Sequence, residues 1–568
     1  MHCAACPVGT SCSGGATLAT MQLKVGYYRQ SNRTLDVRRC PDAGVNCAGL
    51  SRCVQSSSGC VGGNASSPCA ATLKGPFCRL CAKSALEGDG GLAYYVGAAR
   101  ATATAAATVA HCAPCRDTRG ATILSALTVI GAVLLFVATL LLGWRYCLPR
   151  WLRARLVRLH ETFTLHVKLK ILIGCFMIAT QIDTVYEVRL PDDVKQLLDN
   201  IQMITTLGFD YAVTVTPLAC IGEGWDSFST QLAFWIVAPF LVIALILIGS
   251  AAWLAFQCRR LTPYTTLLTA APLSLQLLFL VYPIVTREAF EAFPCIAFDD
   301  GMDDGRRYLR ADVAIECGTP QHAHAMNVAF GAIGIYSIGV PTVFALLLLC
   351  SRRAIVTRKP SALSTAIGFL HREYKTRIFW WELMEMLRRL LLVGAFVVVR
   401  QGSIEQLAYG NLVALVYLCV QVSAAPFMRL SDDFFAAGCS LLLAVFFLCA
   451  LVFKYAELTQ LDELQSRMSS EQKDDYYMPY IVFSGIFMAT CSGVFGLLGV
   501  IFAVQAADEA RRAVHEARAS RARRLRWVAD SSEVRLGLPL LLDEGATPYV
   551  ALAPAIKERF HLFLSHVW

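Results

Sequence analysis

The chain has 568 residues, of which 56% are hydrophobic and only 16% charged, and its mean hydropathy is +0.51. That balance excludes a soluble multidomain enzyme and puts most of the chain in a lipid bilayer. The formal net charge of +9 implies no nucleic-acid partner, because the basic residues cluster beside apolar runs, where they set membrane orientation. The expected fold is an all-α polytopic membrane bundle of about nine transmembrane helices, with a small disulfide-rich N-terminal ectodomain.

Twelve of the 23 cysteines fall in residues 1–120: Cys3, Cys6, Cys12, Cys40, Cys47, Cys53, Cys60, Cys69, Cys78, Cys81, Cys112 and Cys115. The segment is rich in Gly, Ser and Ala and has too few large apolar residues for a core, so it needs covalent staples. The even count suits disulfides, whose connectivity the sequence leaves open. Zinc is the competing reading, since Cys78-x-x-Cys81 and Cys112-x-x-Cys115 have the spacing of a four-thiolate site. Both N-glycosylation sequons of the chain, at Asn32 and Asn64, lie in this segment and favour an oxidising compartment, hence disulfides. The run Cys3-Ala-Ala-Cys6-Pro7-Val-Gly9-Thr10-Ser-Cys12, followed by Gly26-Tyr27-Tyr28-Arg29, resembles the cysteine-rich modules of ephrin-receptor-like and TNF-receptor-like ectodomains. The resemblance implies a surface for extracellular protein or glycan ligands.

The first apolar run, Ala121 to Gly143, carries no charge and is followed by Arg145, Arg150, Arg153, Arg155 and Arg158, with Lys168 and Lys170 next. By the positive-inside rule that flank is cytoplasmic and the cysteine-rich segment is outside. Eight further spans are expected: Ile171 to Val188, Leu232 to Phe256, Tyr264 to Val285, Val328 to Leu349, Phe379 to Val399, Leu407 to Ala425, Phe434 to Phe453 and Tyr480 to Val504. Segments assigned inside hold 24 Lys and Arg, against 10 in the outside segments between spans. The protein is therefore expected in the plasma membrane with its N-terminus extracellular and its C-terminus cytoplasmic. Residues 1–120 form the ectodomain, 121–505 the bundle, 506–530 a juxtamembrane basic helix, 531–557 a linker and 558–568 the start of a further domain.

Between the fourth and fifth expected spans, Cys295 and Cys317 bracket an acidic stretch containing Asp299, Asp300, Asp303, Asp304 and Asp312. One disulfide closing this loop would contribute about 3 kcal/mol. The carboxylates either attract calcium or form a solvated turn, and their spacing is not that of an EF-hand. The sixth span opens Trp380-Trp381-Glu382-Leu-Met-Glu385-Met-Leu-Arg388-Arg389. Its purely apolar part, Leu390 to Val399, covers about 15 Å, so the charges must enter the bilayer in pairs. Glu385 shares a helical face with Arg388 and Arg389, and Trp380 and Trp381 suit an interfacial belt. The cluster is either functional or an ion-pair staple near the cytosolic boundary. Asp183, in the second span, belongs with these intramembrane charges or lies at the outer rim. Prolines at 239, 272, 283 and 341 and small residues along several spans permit kinks and close helix approach.

Three sequence features, the cysteine-closed loop with Tyr308-Leu309-Arg310-Ala311-Asp312, the stretch from Tyr336 to Pro341, and Tyr374 through Trp380-Trp381-Glu382 to Arg388-Arg389, resemble the polytopic region of TRP-like and polycystin-like proteins over about residues 171 to 505. That resemblance implies cation conduction, although no selectivity filter is recognisable and nine spans exceed the usual six. After Val504 an Ala-rich stretch with Arg511, Arg512, Arg518, Arg521, Arg523, Arg524 and Arg526 predicts a continuing helix, either a binder of anionic lipid or a plain stop-transfer flank. The final Phe560-His561-Leu562-Phe563-Leu564-Ser565-His566 resembles the first strand of TIR domains, with His561 where an aspartate is usual. No signal peptide precedes Met1, so the sequence is expected to be cut at both ends. No nucleophile, base and orienter set, nucleotide loop or HExxH motif occurs, so no enzymatic activity, metal or cofactor is expected. A receptor-like protein coupling the ectodomain to a TIR-like domain is the first expectation, and a TRP-like or polycystin-like cation channel with a sensor ectodomain the second. A secondary transporter is disfavoured by the absence of repeated spans.

Overall fold

The computed structural model describes residues 6–13, 15–41, 43, 58–64, 68–82, 93–97, 110–115, 165–188, 190–205, 220, 225, 227–257, 262–301, 305–459 and 480–533. The expected first span, Cys3, Cys47, Cys53, Asp303, Asp304 and the TIR-like end lie outside these residues. The chain divides into two compact units, residues 1–153 with 165–496, and residues 154–164 with 497–568.

In the first unit the cysteine-rich segment folds as short antiparallel pairs. Strand β1 (Thr10–Ser11) pairs with β2 (Gln22–Leu23), which pairs with β5 (Gly63–Asn64). Next come β3 (Tyr27–Arg29) with β4 (Val37–Arg39), β6 (Leu73–Lys74) with β7 (Leu80–Cys81), and β8 (Ala93–Val96) with β9 (His111–Pro114). Strands of two to four residues cannot hold themselves together in water. The disulfides Cys6–Cys12, Cys40–Cys60, Cys69–Cys78 and Cys81–Cys112 supply the constraint. Zinc is thereby overturned, since the two cysteines of Cys78-x-x-Cys81 belong to different disulfides, as do those of Cys112-x-x-Cys115. The segment is also not self-contained, because Cys115 is bonded to Cys220, 105 residues on.

The described residues contain seven helices long and apolar enough to cross a membrane. Helix α1 (Leu165–Ala179) is prolonged by a turn at Ile182–Val185; α2 (Asp192–Thr205) is amphipathic and does not span. Then come α3 (Phe228–Phe256) and α4 (Pro263–Phe290), the latter opened by a capping box between Thr262 and Thr265 with proline at the first helical position. The hairpin β10 (Cys295–Ala297) and β11 (Arg307–Leu309) leads to α5 (Pro320–Val356), which passes through a π-helical stretch at Ile333–Gly339. After α6 (Trp381–Arg389) come α7 (Ile404–Ala424), α8 (Leu430–Thr459) and α9 (Tyr480–Glu533). Ser403 caps α7, and left-handed Ala425 followed by Pro426 stops it.

The seven crossing helices leave the expected count of nine unestablished. The expected sixth span is not one long apolar helix: α6 has nine residues, four of them charged, and continues as a π-helical turn at Leu390–Gly394 and a 3₁₀ turn at Ala395–Val398. Neighbouring side chains hydrogen-bond its carbonyls, Tyr282 at Met386, Tyr186 at Leu392 and Gln406 at Phe396, as an interrupted helix in an apolar medium requires. Within its most apolar stretch α8 is 67% buried and α3 only 17%. Helix α3 turns Leu241, Leu245 and Ile248 outward, an apolar surface that water would not tolerate and a bilayer covers. In the second unit, α9 continues from Leu497 to Glu533, with Arg511 and Arg518 exposed and Arg511 3.9 Å from Asp508.

Candidate functional site

Two features of the first unit carry polar chemistry, one at each end of the bundle. At one end, α6 presents Glu382, Glu385, Arg388 and Arg389 on a single face toward α1, α7 and α8, and all four are buried. Glu385 accepts from Arg388 (2.8 Å) and from the Tyr417 hydroxyl (2.6 Å), and Arg389 approaches the same carboxylate at 3.9 Å. Glu382 is met by Lys170 at 2.6 Å and by the Tyr374 hydroxyl at 2.9 Å. Lys170 also lies 3.2 Å from Glu373, and two residues before it Lys168 pairs with Asp432 at 2.7 Å. The guanidinium planes stack on aromatic faces, Arg388 over Tyr417 and Arg389 over Phe279, which offsets part of their desolvation. Arg388 further donates to Ser440, which bonds to Gln421. A side chain at Gly174 would meet Arg389 Nη2 at 2.5 Å, so glycine there lets the guanidinium lie against α1.

The sequence brings forward only the α6 members of this cluster. Lys168 and Lys170 read as part of a cytoplasmic basic flank, but α1 begins at Leu165 and carries both inside the packed bundle. Two lysines within one turn at the head of an apolar helix were the available signal. Asp183 does not join the cluster: it lies at the far end of α1, about 20 Å from Lys170 by helical rise, half-buried and 3.7 Å from Lys195 of α2. Of the two tryptophans expected in an interfacial belt, Trp380 is exposed, whereas Trp381 is buried against Tyr417 because it shares the charged inner face.

At the other end the cysteine-rich module packs on the β10–β11 hairpin. Phe298 enters the module core between Tyr28 and Phe77, with ring centroids at 6.1 and 5.2 Å, and Arg38 covers its face at 4.8 Å. Around it Thr34 donates to Asp299 (2.8 Å), the Asp299 amide donates to Asp36 (3.2 Å), and Gln30 donates to the Tyr308 hydroxyl (3.3 Å). Gly301, at φ 76°, would place a Cβ 2.7 Å from the Arg33 carbonyl, so only glycine allows this approach. The Gly301 amide and the Thr34 hydroxyl hold the Asp299 carboxyl below its usual range, and burial raises the Tyr28 phenol.

The hairpin is closed by Cys295–Cys317 and tied to the bundle by an Arg310–Glu187 ion pair. Its carboxylates are engaged with different partners: Asp299 with Thr34, Asp300 with Arg306 at 3.8 Å, and Asp312 with the amides of Ala314 and Phe228. Among the described residues these carboxylates do not converge on a calcium site. Among the described residues the metal-capable trio is Cys295, Cys317 and His322, and its two thiols are consumed in the disulfide. Asn32 is exposed; of Asn64 the backbone, paired with Gln22, is described.

A stretch of 170 residues, 28% of this chain, is 25% identical to cysteine repeat modular protein A of Toxoplasma gondii, and covers 5% of that protein. The chain thus spans about one twentieth of that relative's length. No protein-family profile matches the chain, and no solved structure does. What is established is a membrane protein with a disulfide-rich N-terminal region and several apolar helices.

Proposed function

We propose that this is a multipass cell-surface receptor-like protein in which a cysteine-rich ectodomain acts on the helical bundle and, through the basic helix and the TIR-like segment at its C-terminal end, on a cytoplasmic signalling domain. The observation that carries the reading is the insertion of Phe298 into the module core. A ligand that shifted the module would move a hairpin continuous with α4 and α5 and ion-paired beyond the end of α1. The Cys115–Cys220 bond adds a covalent tie to the segment preceding α3. The excess of Lys and Arg in the segments assigned inside supports an extracellular module and a cytoplasmic C-terminus, and the name of the Toxoplasma gondii relative fits a modular cysteine-rich ectodomain. Exposed arginines on α9 suit anionic inner-leaflet lipid.

The test is a split-reporter assay on cells expressing the full chain, with one reporter fragment at the C-terminus and its complement at the inner membrane face. Crosslinking an epitope tag in the ectodomain with a bivalent antibody should change the signal, and Phe298→Ala should abolish the change at equal surface level. A signal indifferent to crosslinking would sink the reading.

A second reading, a cation channel of TRP-like or polycystin-like type with the module as sensor, is favoured by the π-helical turns at Ile333–Gly339 and Leu390–Gly394, because such turns are common at moving, functional positions. Patch-clamp recording of the wild type and of Glu385→Gln decides it. Currents altered by the substitution favour the channel, and no current at confirmed surface expression leaves the receptor.

A further inference from the structure

The charge cluster lines a partly open cavity of about 20 Å³, bordered by Lys170, Glu373, Glu382, Arg388 and Arg389, room for one water molecule. Several polar atoms of these residues are buried and make no hydrogen bond: Arg388 Nε, Arg389 Nε and Nη1, Glu382 Oε1 and Glu373 Oε2. Native interiors rarely leave such atoms unmatched. The mixture of orphaned donors and acceptors decides what fits. An anion would face carboxylates and a cation would face two guanidiniums and an ammonium, whereas water donates to the first and accepts from the second.

The three carboxylates are held unequally. Glu385 has two arginines and a tyrosine, and Glu382 has a lysine at 2.6 Å and a tyrosine. Glu373 has only Lys170, at 3.2 Å, and the same ammonium lies closer to Glu382. The other charged groups bearing on Glu373 are Glu382 from α6 and Asp432 from α8, both negative, and Asp432 is already paired with Lys168 from α1. The phenol of adjacent Tyr374 is directed to Glu382. Glu373 is therefore the carboxylate whose charge the cluster supports least.

We propose that this cavity is a hydrated proton-binding site and that Glu373 is the carboxyl that gains and loses the proton. Burial pushes Glu373 up to about 7, the nearby Glu382 adding to the rise and Lys170 opposing it, so the exchange falls near neutral pH. Uptake leaves Lys170 bound to Glu382 and to the Phe369 carbonyl and raises the net charge of the cluster by one, which weakens the link from α1 to the segment before α6 by one ion pair. The site does not depend on the receptor reading.

The test is infrared difference spectroscopy of the full chain in lipid nanodiscs between about pH 6 and about pH 8, the range flanking a buried carboxyl raised in this way. A carboxylic-acid carbonyl band should be present at the acid side, shift down in D₂O because the cavity exchanges with solvent, remain in Glu291→Gln, and vanish when Glu373→Gln is added to Glu291→Gln with thermal unfolding still cooperative. A wild-type spectrum with no such band overturns the proposal without need of a variant. A band that persists in the folded double variant Glu291→Gln with Glu373→Gln overturns the assignment, and Glu373→Asp, keeping a shifted band, guards against a variant that does not fold.

Discussion

At the residue scale the bundle depends on charges that are expensive to bury singly. Taking the partner from a buried ion pair strands a charge and costs about 3 to 5 kcal/mol, far more than the pair itself contributes. Glu385→Gln should therefore strand Arg388 and Arg389 and lower the folded fraction in detergent, measured by size-exclusion yield and thermal unfolding. Exchanging the charges as Glu385→Arg with Arg388→Glu should recover most of it; full stability of the single variant would show that the cluster is not a staple. The pH dependence follows from two carboxyls. Glu373 and Glu291, the latter crowded by burial and by Glu288 at the end of α4, are each raised to about 7 from an ordinary 4.5. A raised carboxyl binds more protons folded than unfolded, so its contribution to stability is complete below about 4.5 and is lost as pH rises through 7. Wild-type melting temperature should fall across that window, Glu373→Gln and Glu291→Gln should each flatten part of the fall, and the double variant most of it. The α6 members of the cluster were legible because charges in an apolar span demand an explanation. Lys168 and Asp432, 264 residues apart, were not, because nothing local to either residue names the other.

At the scale of elements the least foreseeable feature is the docking of the module on the hairpin. The pair Cys295 and Cys317 could be read from the placement of two cysteines at the ends of one loop, but the role of Phe298 could not, since a single aromatic in an acidic turn has no periodicity. Cys220 was likewise obscured by the even count of cysteines before residue 121, which invites pairing within the segment. The break after α6 was visible only as an apolar run too short for a span. Burial of Phe298 between Tyr28 and Phe77 predicts that Phe298→Ala removes about 3 to 5 kcal/mol from the docked state. Amide hydrogen exchange should then rise in β3, β4 and the β10–β11 hairpin and stay unchanged in α8. Equal exchange in all of them would mean that the ring is not what holds the module.

At the scale of the whole molecule, the proposal that the N-terminal segment lies outside rests on the basic-residue bias and the sequons, while the structure supplies an independent constraint. The module, Cys220 and the hairpin are joined by one disulfide and one aromatic core, so they must share a side of the membrane, whichever side that is. Asn32 is exposed, but the Thr34 hydroxyl of its sequon is engaged with Asp299. On the proposed topology, a glycan at Asn32 is transferred before docking, during insertion into an oxidising compartment. The expected outcome is a gel shift on enzymatic deglycosylation of the surface-expressed chain, reduced stepwise by Asn32→Gln and Asn64→Gln. Thiol labelling without reductant should find Cys295, Cys317 and Cys220 blocked. If instead no glycan is found, these cysteines label freely and the N-terminal segment resists external protease on intact cells, all three segments move to the cytoplasm together. The extracellular-ligand reading then fails, while the pairing of module and hairpin stands.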